Sequence, residues 1–357
     1  MISLTVSFNQ IVTVDESGGQ AALRLETGST DREAVYISGS GSEILTFSYT
    51  VQTGDLSADL DYLSNSALTL NGATIRNASG DDAELTLPAV GGAGSIAGQH
   101  NILVDGVLPV VTSVNVPANG YYQEGDVLNF TVELDENVIV NTAGGTPYLE
   151  VIIGTAAVEA AYASGSGTHS LAFRYTVQPG QQDLDGIALG SGIVLDGGAI
   201  RDAAGNDARL TLNNVAPTDN VFVYSVKPGV TLSTAAASPV NQAFTVTLQF
   251  SEAVTGFTLG DITAANTGLS FLQTTDNITY TALVTPLADG AVSLQVPAGV
   301  ARNIGNNDNT ASNTLSLVYD GTAPAVTSVD VPAGGYYGAG ETLEFTVHFN
   351  ENLAVNT

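Results

Sequence analysis

The chain has 357 residues, of which 36 are acidic and 8 are basic, so its formal net charge is −28. Nucleic acids and anionic membrane surfaces are themselves polyanions, so this charge argues against both as partners. A hydrophobic fraction of 44% is too high for a typical disordered acidic chain. Because there is no Cys, disulfides, thiolate metal ligands and a Cys nucleophile are excluded.

The first element in chain order is a strand. Residues 1–8 (MISLTVSF) alternate between apolar and polar side chains and carry no basic region, which is typical of a strand and not of a signal peptide. No apolar run approaches the length of a transmembrane helix, so we expect no membrane insertion. The same period of two, with apolar residues on one face, recurs at Leu45, Phe47, Tyr49 and Val51, at Leu171, Phe173, Tyr175 and Val177, and at Phe345, Val347 and Phe349. Gly-rich turns separate these strands, and no amphipathic helix is predicted.

The chain repeats itself. Residues 36–52 (YISGSGSEILTFSYTVQ) match residues 162–178, and residues 109–142 match residues 324–357. The first copy starts after the PxVTSVxVP segment and the last copy stops early, so we expect a piece of a longer tandem array. Between them, residues 244–252 (FTVTLQFSE) belong to a diverged unit with the same alternation.

Units of about 100 residues with short, regularly spaced strands predict an all-β chain of tandem immunoglobulin-like antiparallel β-sandwiches in a linear array. The predicted domains are 1–106 (lacking its first strand), 107–219 (complete), 220–321 (diverged) and 322–357 (the start of a further repeat). Short segments rich in Asp, Gly and Pro join them, and these are too short and stiff to act as flexible tethers.

Acidic residues cluster at strand ends and linkers. In the second unit and its linker, carboxylate and amide side chains occur at Asp105, Glu136, Asp183, Asp185, Asp202 and Asn206. The diverged unit offers Glu252 and Asp261. Oxygen ligands of this kind suit Ca²⁺, which takes six to eight of them, and one Lys with seven Arg cannot neutralise 36 carboxylates. The alternative, that each Asp is a solvated loop residue keeping the protein soluble, stays open because neither an EF-hand loop nor tandem GGxGxD repeats occur.

No catalytic constellation stands out, and we predict that the chain is not an enzyme. The three histidines are His100, His169 and His348, and His169 and His348 align with other residue types in the neighbouring copies. Paired carboxylates can serve glycoside hydrolysis, but the chain has no Trp to flank a sugar cleft.

The sequence resembles the tandem Ig-like extender repeats of giant bacterial surface adhesins, the RTX-type proteins secreted by type I systems. The resemblance rests on the DGTAP linker at residues 320–324, on PxVTSVxVPxxGYY, and on the SGSGTxxLxFxYTV, DLDGI and IRDAAGNDA segments. It implies a rod stiffened by calcium, with Asp105 and Asp320 of the linkers and Glu136, Asp183, Asp185 and Asp202 as the best ligand candidates. Asn303 stands where that family usually has Asp.

The function expected from this resemblance is a non-catalytic spacer at the bacterial cell surface, outside the cell. Its partners would be neighbouring repeats of the same chain, with a host or surface glycan or protein bound through other domains. Two alternatives stay open: one unit is itself a glycan- or protein-binding adhesion domain, or the array is an accessory region of a secreted hydrolase.

Overall fold

The structure is a computed structural model that describes residues 1–354. The last three residues of the predicted segment 322–357 lie outside the described residues. By their contacts, the described residues form two compact units. One unit combines Met1–Asn119, Val127–Thr176 and Asp185–Val221, and the other combines Gly120–Asp126, Val177–Leu184 and the chain from Phe222 onward.

Strands dominate the first 220 residues. Up to the first linker they are Ile2–Asp15 (β1), Ala22–Leu25 (β2), Arg32–Ser38 (β3), Ser42–Tyr49 (β4), Leu56–Ser57 (β5), Leu68–Thr69 (β6), Thr74–Asn77 (β7) and Val104–Asp105 (β8). After it come Val111–Asn115 (β9), Gly120–Tyr122 (β10), Val127–Asn141 (β11), Tyr148–Ile153 (β12), Ala156–Ser164 (β13), Thr168–Thr176 (β14), Gln182–Asp183 (β15), Ala188–Val194 (β16) and Ala199–Arg201 (β17).

The remaining strands are Val221–Tyr224 (β18), Val230–Ser233 (β19), Phe244–Phe250 (β20), Thr263–Ala265 (β21), Thr267–Thr274 (β22), Thr279–Pro286 (β23), Gly290–Gln295 (β24), Leu315–Tyr319 (β25), Val326–Asp330 (β26) and Thr346–Phe349 (β27). The helices are one turn of α-helix at Ile96–Gln99 (α1) and a 3₁₀ turn at Leu259–Asp261. The sequence predicted no helix, and α1 escapes prediction because four residues carry no helical period. Among the described residues, no helix has both the length and the apolar character that a membrane span requires.

The sheets are antiparallel along their long strands. In the first unit, the orders are β6-β2-β3-β4-β1-β7, β16-β12-β13-β14-β11-β17 with β9 also on β11, and β5-β8. In the second unit, they are β10-β18-β15, β19-β20-β23-β22, β21-β24-β25 and β26-β27. The all-β, antiparallel prediction is confirmed.

The predicted apolar faces form the cores. Leu45 and Phe47 are fully buried, as are their counterparts Leu171 and Phe173. Each Phe packs edge-to-face against a Tyr with ring centroids 5.9 Å apart, Tyr36 in the first copy and Tyr162 in the second. In the diverged repeat at residues 220–321, the rings of Phe250, Phe257 and Tyr280 pack edge-to-face with centroids 5.2–5.7 Å apart. The repetition seen in the sequence is therefore a repetition of packing.

The long strands β1 and β11 each change partner along their length. In β11, Val127–Glu133 pairs with β14, and Ile139–Asn141 pairs with β17. The register shifts between Glu133 and Val138, as it does between Ser7 and Val12 in β1. Such an irregularity re-aims the side chains within it, and Glu136 lies there.

The late strand β27 has an exposed apolar face. The alternation predicted a strand with apolar residues on one face, and a strand is present at Thr346–Phe349. Phe345, Val347 and Phe349 are 59%, 46% and 38% exposed. Within the described residues, β26 and β27 form a two-stranded sheet whose residues are all exposed. A period of two supplies an apolar face, but burial also requires a second layer.

Candidate metal centre

Three of the predicted ligand residues lie together. One carboxylate oxygen each from Asp105, Glu136 and Asp202 lies within 4.8 Å of the others. We call this group the linker cluster. Asp202 is 3% exposed, and the other two side chains are half-buried. Asp105 comes from the linker, while Glu136 and Asp202 come from the repeat that follows it.

The fold explains why these residues meet. Along β11, Glu136 lies in the irregular stretch between the buried Leu134 and Val138, and it is itself half-buried. Asp202 follows β17, which pairs with β11 at Ile139. Asp105 ends β8, the last strand before the repeat begins.

A tight loop fixes Asp202. Its Oδ1 accepts hydrogen bonds from the backbone N–H groups of Gly205 (2.7 Å) and Asn206 (2.8 Å). The Asn206 side-chain amide donates to Asp202 Oδ2 (2.6 Å) and to the carbonyl oxygen of Asp105 (3.1 Å). Asn206 thus presents its amide nitrogen here, instead of the oxygen that the metal prediction requires of it, and it ties the loop to the linker.

The electrostatics of the linker cluster are unfavourable to three negative charges. Burial raises the pKa of the Glu136 carboxyl, and the charges of Asp105, Asp202 and Asp135 raise it further. None of the three carboxylates takes part in an ion pair with any residue in the range 1–354. The adjacent Arg201 is paired at 2.6 Å with the exposed Asp207. The group therefore lacks a protein cation and has the chemistry of a hard cation site.

A related carboxylate pair occurs at the next DG linker. Asp320 and Glu351 stand where Asp105 and Glu136 stand in the earlier copy. Burial raises the pKa of Glu351, and the Asp320 carboxylate and the charge of Asp289 raise it further. Glu351 Oε1 is buried and has no hydrogen-bond partner. Two of the three positions of the linker cluster therefore recur as a close acidic pair.

The other predicted ligands lie in different surroundings. Asp183 is buried in β15 beside Val223 of β18, and Asp185 is exposed. Asp261 Oδ2 accepts hydrogen bonds from Thr258 N and Oγ1 at 2.7 and 2.8 Å, so it caps the 3₁₀ turn. Their assignment as metal ligands stays a prediction.

In the diverged repeat at residues 220–321, Glu252 takes the place that Glu136 has in the preceding repeat. Its carboxylate contacts hydrogen-bond donors instead of other carboxylates. The Tyr224 hydroxyl donates to Glu252 Oε2, and the Asn303 amide donates to Oε1 at 3.1 Å. Burial and the Glu252 carboxylate raise the pKa of Tyr224 to about 12. We call Tyr224, Glu252 and Asn303 the amide–phenol cluster.

Backbone hydrogen bonds show that Tyr224 takes the place of Asp105. The Asn206 amide donates to the carbonyl of Asp105, and the Asn307 amide donates to the carbonyl of Tyr224. Gly54 N donates to Gly106 O, the residue after Asp105, and Gly180 N donates to Ser225 O, the residue after Tyr224.

Sequence reasoning noticed Asn303 but missed Tyr224 and Asn307. Asn307 sits four residues after Asn303, the same spacing as Asn206 after Asp202, so a loop alignment would have found it. Tyr224 has no such signal, because the linker before it carries no Asp-Gly pair and the prediction started the unit at residue 220.

Part of the chain is similar to a known family. Residues 224–319 match the family described as bacterial Ig-like domain. This segment is therefore similar to a bacterial Ig-like domain, and we call residues 224–319 the Ig-like domain. It begins at the residue that replaces the linker Asp, and it contains the amide–phenol cluster.

Solved structures give distant similarities. A tetra-tandem repeat from the extending region of a large adhesion protein is 13% identical over 93% of this chain and 73% of that one, with a TM-score of 0.25. Invasin, a bacterial integrin-binding protein, is 10% identical over 98% and 68%, with a TM-score of 0.24. A DUF4785 family protein from Legionella pneumophila is 11% identical over 87% and 83%, with a TM-score of 0.21. No curated protein matches the chain.

Proposed function

We propose that the chain is a non-catalytic spacer of a bacterial cell-surface adhesin, located outside the cell, in which Ca²⁺ at the linker cluster stiffens the step from one Ig-like repeat to the next. The observation that carries this proposal is the linker cluster itself, because it joins a linker residue to two residues of the following repeat within 4.8 Å. A cation there couples the linker to the sandwich. Its partners are the neighbouring repeats, and any glycan or protein is bound through other domains.

The donor set fits calcium. Three carboxylates supply hard oxygen ligands, and calcium tolerates irregular arrangements that magnesium does not. When bound, the ion supplies positive charge to a group that has none among its described neighbours. Asp105, Glu136 and Asp202 would hold it. Asn206 holds the loop and the linker in position through its amide hydrogen bonds to Asp202 and Asp105.

Calcium binding is tested by isothermal titration of the chain with CaCl₂ after chelation. We expect saturable binding that Asp202→Asn weakens at least tenfold. The matched control is Asp207→Asn, which removes a carboxylate from the same loop but from its exposed ion pair with Arg201, and which should bind like the wild type. Equal binding by Asp202→Asn and the wild type would refute the site.

The spacer role is tested by small-angle X-ray scattering of the same protein with calcium and with EDTA. Stiffening predicts a narrower distribution of maximum dimension when calcium is bound, and a broader one after chelation. Identical profiles in both conditions would remove calcium from the mechanism. A binding signal on a glycan or protein array would favour the adhesion-domain alternative, and a catalytic domain in flanking sequence would favour the hydrolase alternative.

A further inference from the structure

A small pocket opens in the Ig-like domain beside β22, the edge strand of its sheet. Its volume is about 440 Å³, and its lining comes from the loop at residues 254–257, from β22, and from the turn and strand that follow it. Small-ligand sites typically occupy about 300–1,000 Å³. None of the lining residues carries a charge, in a chain whose net charge is −28. The pocket is therefore a neutral surface on an acidic protein.

A strained aromatic residue lies beside this pocket. Phe271 directly precedes the lining residue Leu272 in β22, and it adopts a left-handed backbone conformation with φ 57°. Among the described residues, every other non-glycine residue with a positive φ is an Asn or an Asp. For a bulky side chain this conformation costs free energy. Such an outlier is a reason to look for a function.

The strain accompanies a β-bulge that turns Phe271 out of the core. The register with β23 shifts between Ser270 and Gln273, so that two residues of β22 lie opposite one residue of β23. Leu269 packs against the core, and regular strand alternation would point Phe271 inward after it. Instead Leu272 packs against the core, and Phe271 is 72% exposed. The bulge thus presents the larger apolar side chain to solvent.

Two polar side chains of the pocket have no partner. Tyr280 lines the pocket and is 5% exposed, and its ring packs against Phe250 and Phe257. Its hydroxyl makes no hydrogen bond with any described residue. Burial and the charge of Asp276 raise the pKa of this hydroxyl, so it stays protonated and able to donate. The side-chain amide of the lining residue Asn277 also has no partner within residues 1–354.

These features suit a neutral sugar better than a cation or a peptide strand. A sugar ring has C–H faces that pack on an aromatic ring and hydroxyl groups that both donate and accept, which a phenol and an amide can match. The Asp276 carboxylate accepts hydrogen bonds from the backbone N–H groups of Ile278 and Thr279 at 2.9 and 2.8 Å, so it is already occupied. The bulge interrupts the regular backbone edge that an added peptide strand would need.

We propose that this pocket binds one residue of a neutral glycan, with Phe271 packing on a face of the sugar ring and with the Tyr280 hydroxyl and the Asn277 amide bonding to its hydroxyl groups. This activity adds to the spacer role proposed above. It gives one repeat of the spacer a contact of its own, beside any glycan or protein that other domains bind. It requires no metal, because the pocket contains none of the linker cluster residues.

A glycan array of neutral and acidic oligosaccharides, probed with the whole chain, tests the proposal, and titration calorimetry then measures the strongest neutral glycan. We expect Phe271→Ala to weaken its binding at least about tenfold. Tyr280→Phe keeps the ring but leaves a sugar hydroxyl unpaired, so binding should weaken by about fivefold. The matched control Leu287→Ala removes an apolar side chain that is also 72% exposed, and it should bind as the wild type does. Binding of no neutral glycan, or binding that neither pocket variant weakens, would overturn the proposal. A Phe271-dependent signal on a protein array alone would also overturn it, in favour of a protein partner.

The melting temperature of Phe271→Asn provides a second measurement that needs no ligand. Asn adopts a positive φ more readily than Phe does, so the Ig-like domain of this variant should melt at or above the wild-type temperature while glycan binding is lost. A lower melting temperature would overturn the proposal, because it would show that Phe271 is retained for stability. Repeating the titration in EDTA separates this proposal from the calcium proposal. Glycan binding that persists in EDTA and in Asp202→Asn is the expected result, whether or not calcium binds at the linker cluster.

Discussion

In the linker cluster, the half-buried Glu136 faces two further carboxylates, whereas at the matching place in the Ig-like domain Glu252 accepts hydrogen bonds from a phenol and an amide. The surrounding loops are alike. Arg201 pairs with Asp207 at 2.6 Å, and Arg302 pairs with Asp308 at 2.7 Å. An Asn four residues into each loop bonds to the preceding linker carbonyl.

The same backbone arrangement accommodates a partly buried carboxylate in two ways. A carboxylate removed from water needs donors or a positive charge. The amide–phenol cluster carries its donors in the sequence, at Tyr224 and Asn303. The linker cluster has carboxylates at both of those positions, so Glu136 there faces negative charge instead of hydrogen-bond donors. The comparison makes the two sites controls for each other.

The largest effect that we expect is a rise in melting temperature on adding calcium, in the transition of the unit that contains the linker cluster. Glu136→Gln should abolish this rise. At calcium 100-fold above its dissociation constant, linkage stabilises the folded state by about 2.7 kcal/mol, which for a domain of this size corresponds to a shift on the order of 10 °C. Differential scanning calorimetry with calcium and with EDTA measures it.

The Ig-like domain at residues 224–319 is the internal control for that experiment. Its transition should stay in place on chelation, because Glu252 already has two protein donors. The two sites would not differ in calcium binding if the calcium-dependent rise in melting temperature persisted in Glu136→Gln, or if it appeared equally in both transitions.

A smaller effect is expected from Tyr224→Phe. Removing the hydroxyl leaves Glu252 Oε2 without its donor, and an unsatisfied partly buried acceptor costs about 1–3 kcal/mol. The loss should be the same in calcium and in EDTA. Urea unfolding of the variant measures it, with Tyr280→Phe as the matched control, since that ring packs between Phe250 and Phe257. Equal losses from both variants would mean that the hydroxyl contact with Glu252 contributes nothing specific.

The strand alternation predicted the sandwich cores correctly, because a period of two depends only on local sequence, and Leu45, Phe47, Leu171 and Phe173 are all fully buried. Asp105, Glu136 and Asp202 are also ligand candidates from the sequence, but the clustering of acidic residues and the resemblance name them within a longer set and do not single out these three. Tyr224 could not be predicted in this way. Its role depends on the backbone of the linker, where its carbonyl accepts from Asn307 as the carbonyl of Asp105 accepts from Asn206.

The exposed β26–β27 sheet shows the same limit. Sequence alternation identifies a face that is able to be buried, but it does not say what covers it. Val6 and Val132 have matching neighbours in sequence and differ in burial, because β9 covers one of them.

The smallest effect expected concerns pH, and it again separates the two clusters. In the calcium-free protein, burial and neighbouring charges raise the pKa of Glu136. At pH values between the ordinary and the raised pKa, the folded state therefore keeps a proton that the unfolded state has released. Stability from this group is complete below the ordinary pKa of a Glu and is lost as pH rises through the raised one. Tyr224, with a pKa raised from 10.0 to about 12, loses its contribution only in the alkaline range.

Melting temperatures measured in EDTA from pH 4 to 7 test this difference. In the transition of the unit that contains the linker cluster, the melting temperature of the wild type should fall relative to that of Glu136→Gln. The transition of the Ig-like domain should show no difference between the two proteins. A wild type that gains stability relative to Glu136→Gln over that range would mean that the linker cluster is already neutralised without calcium.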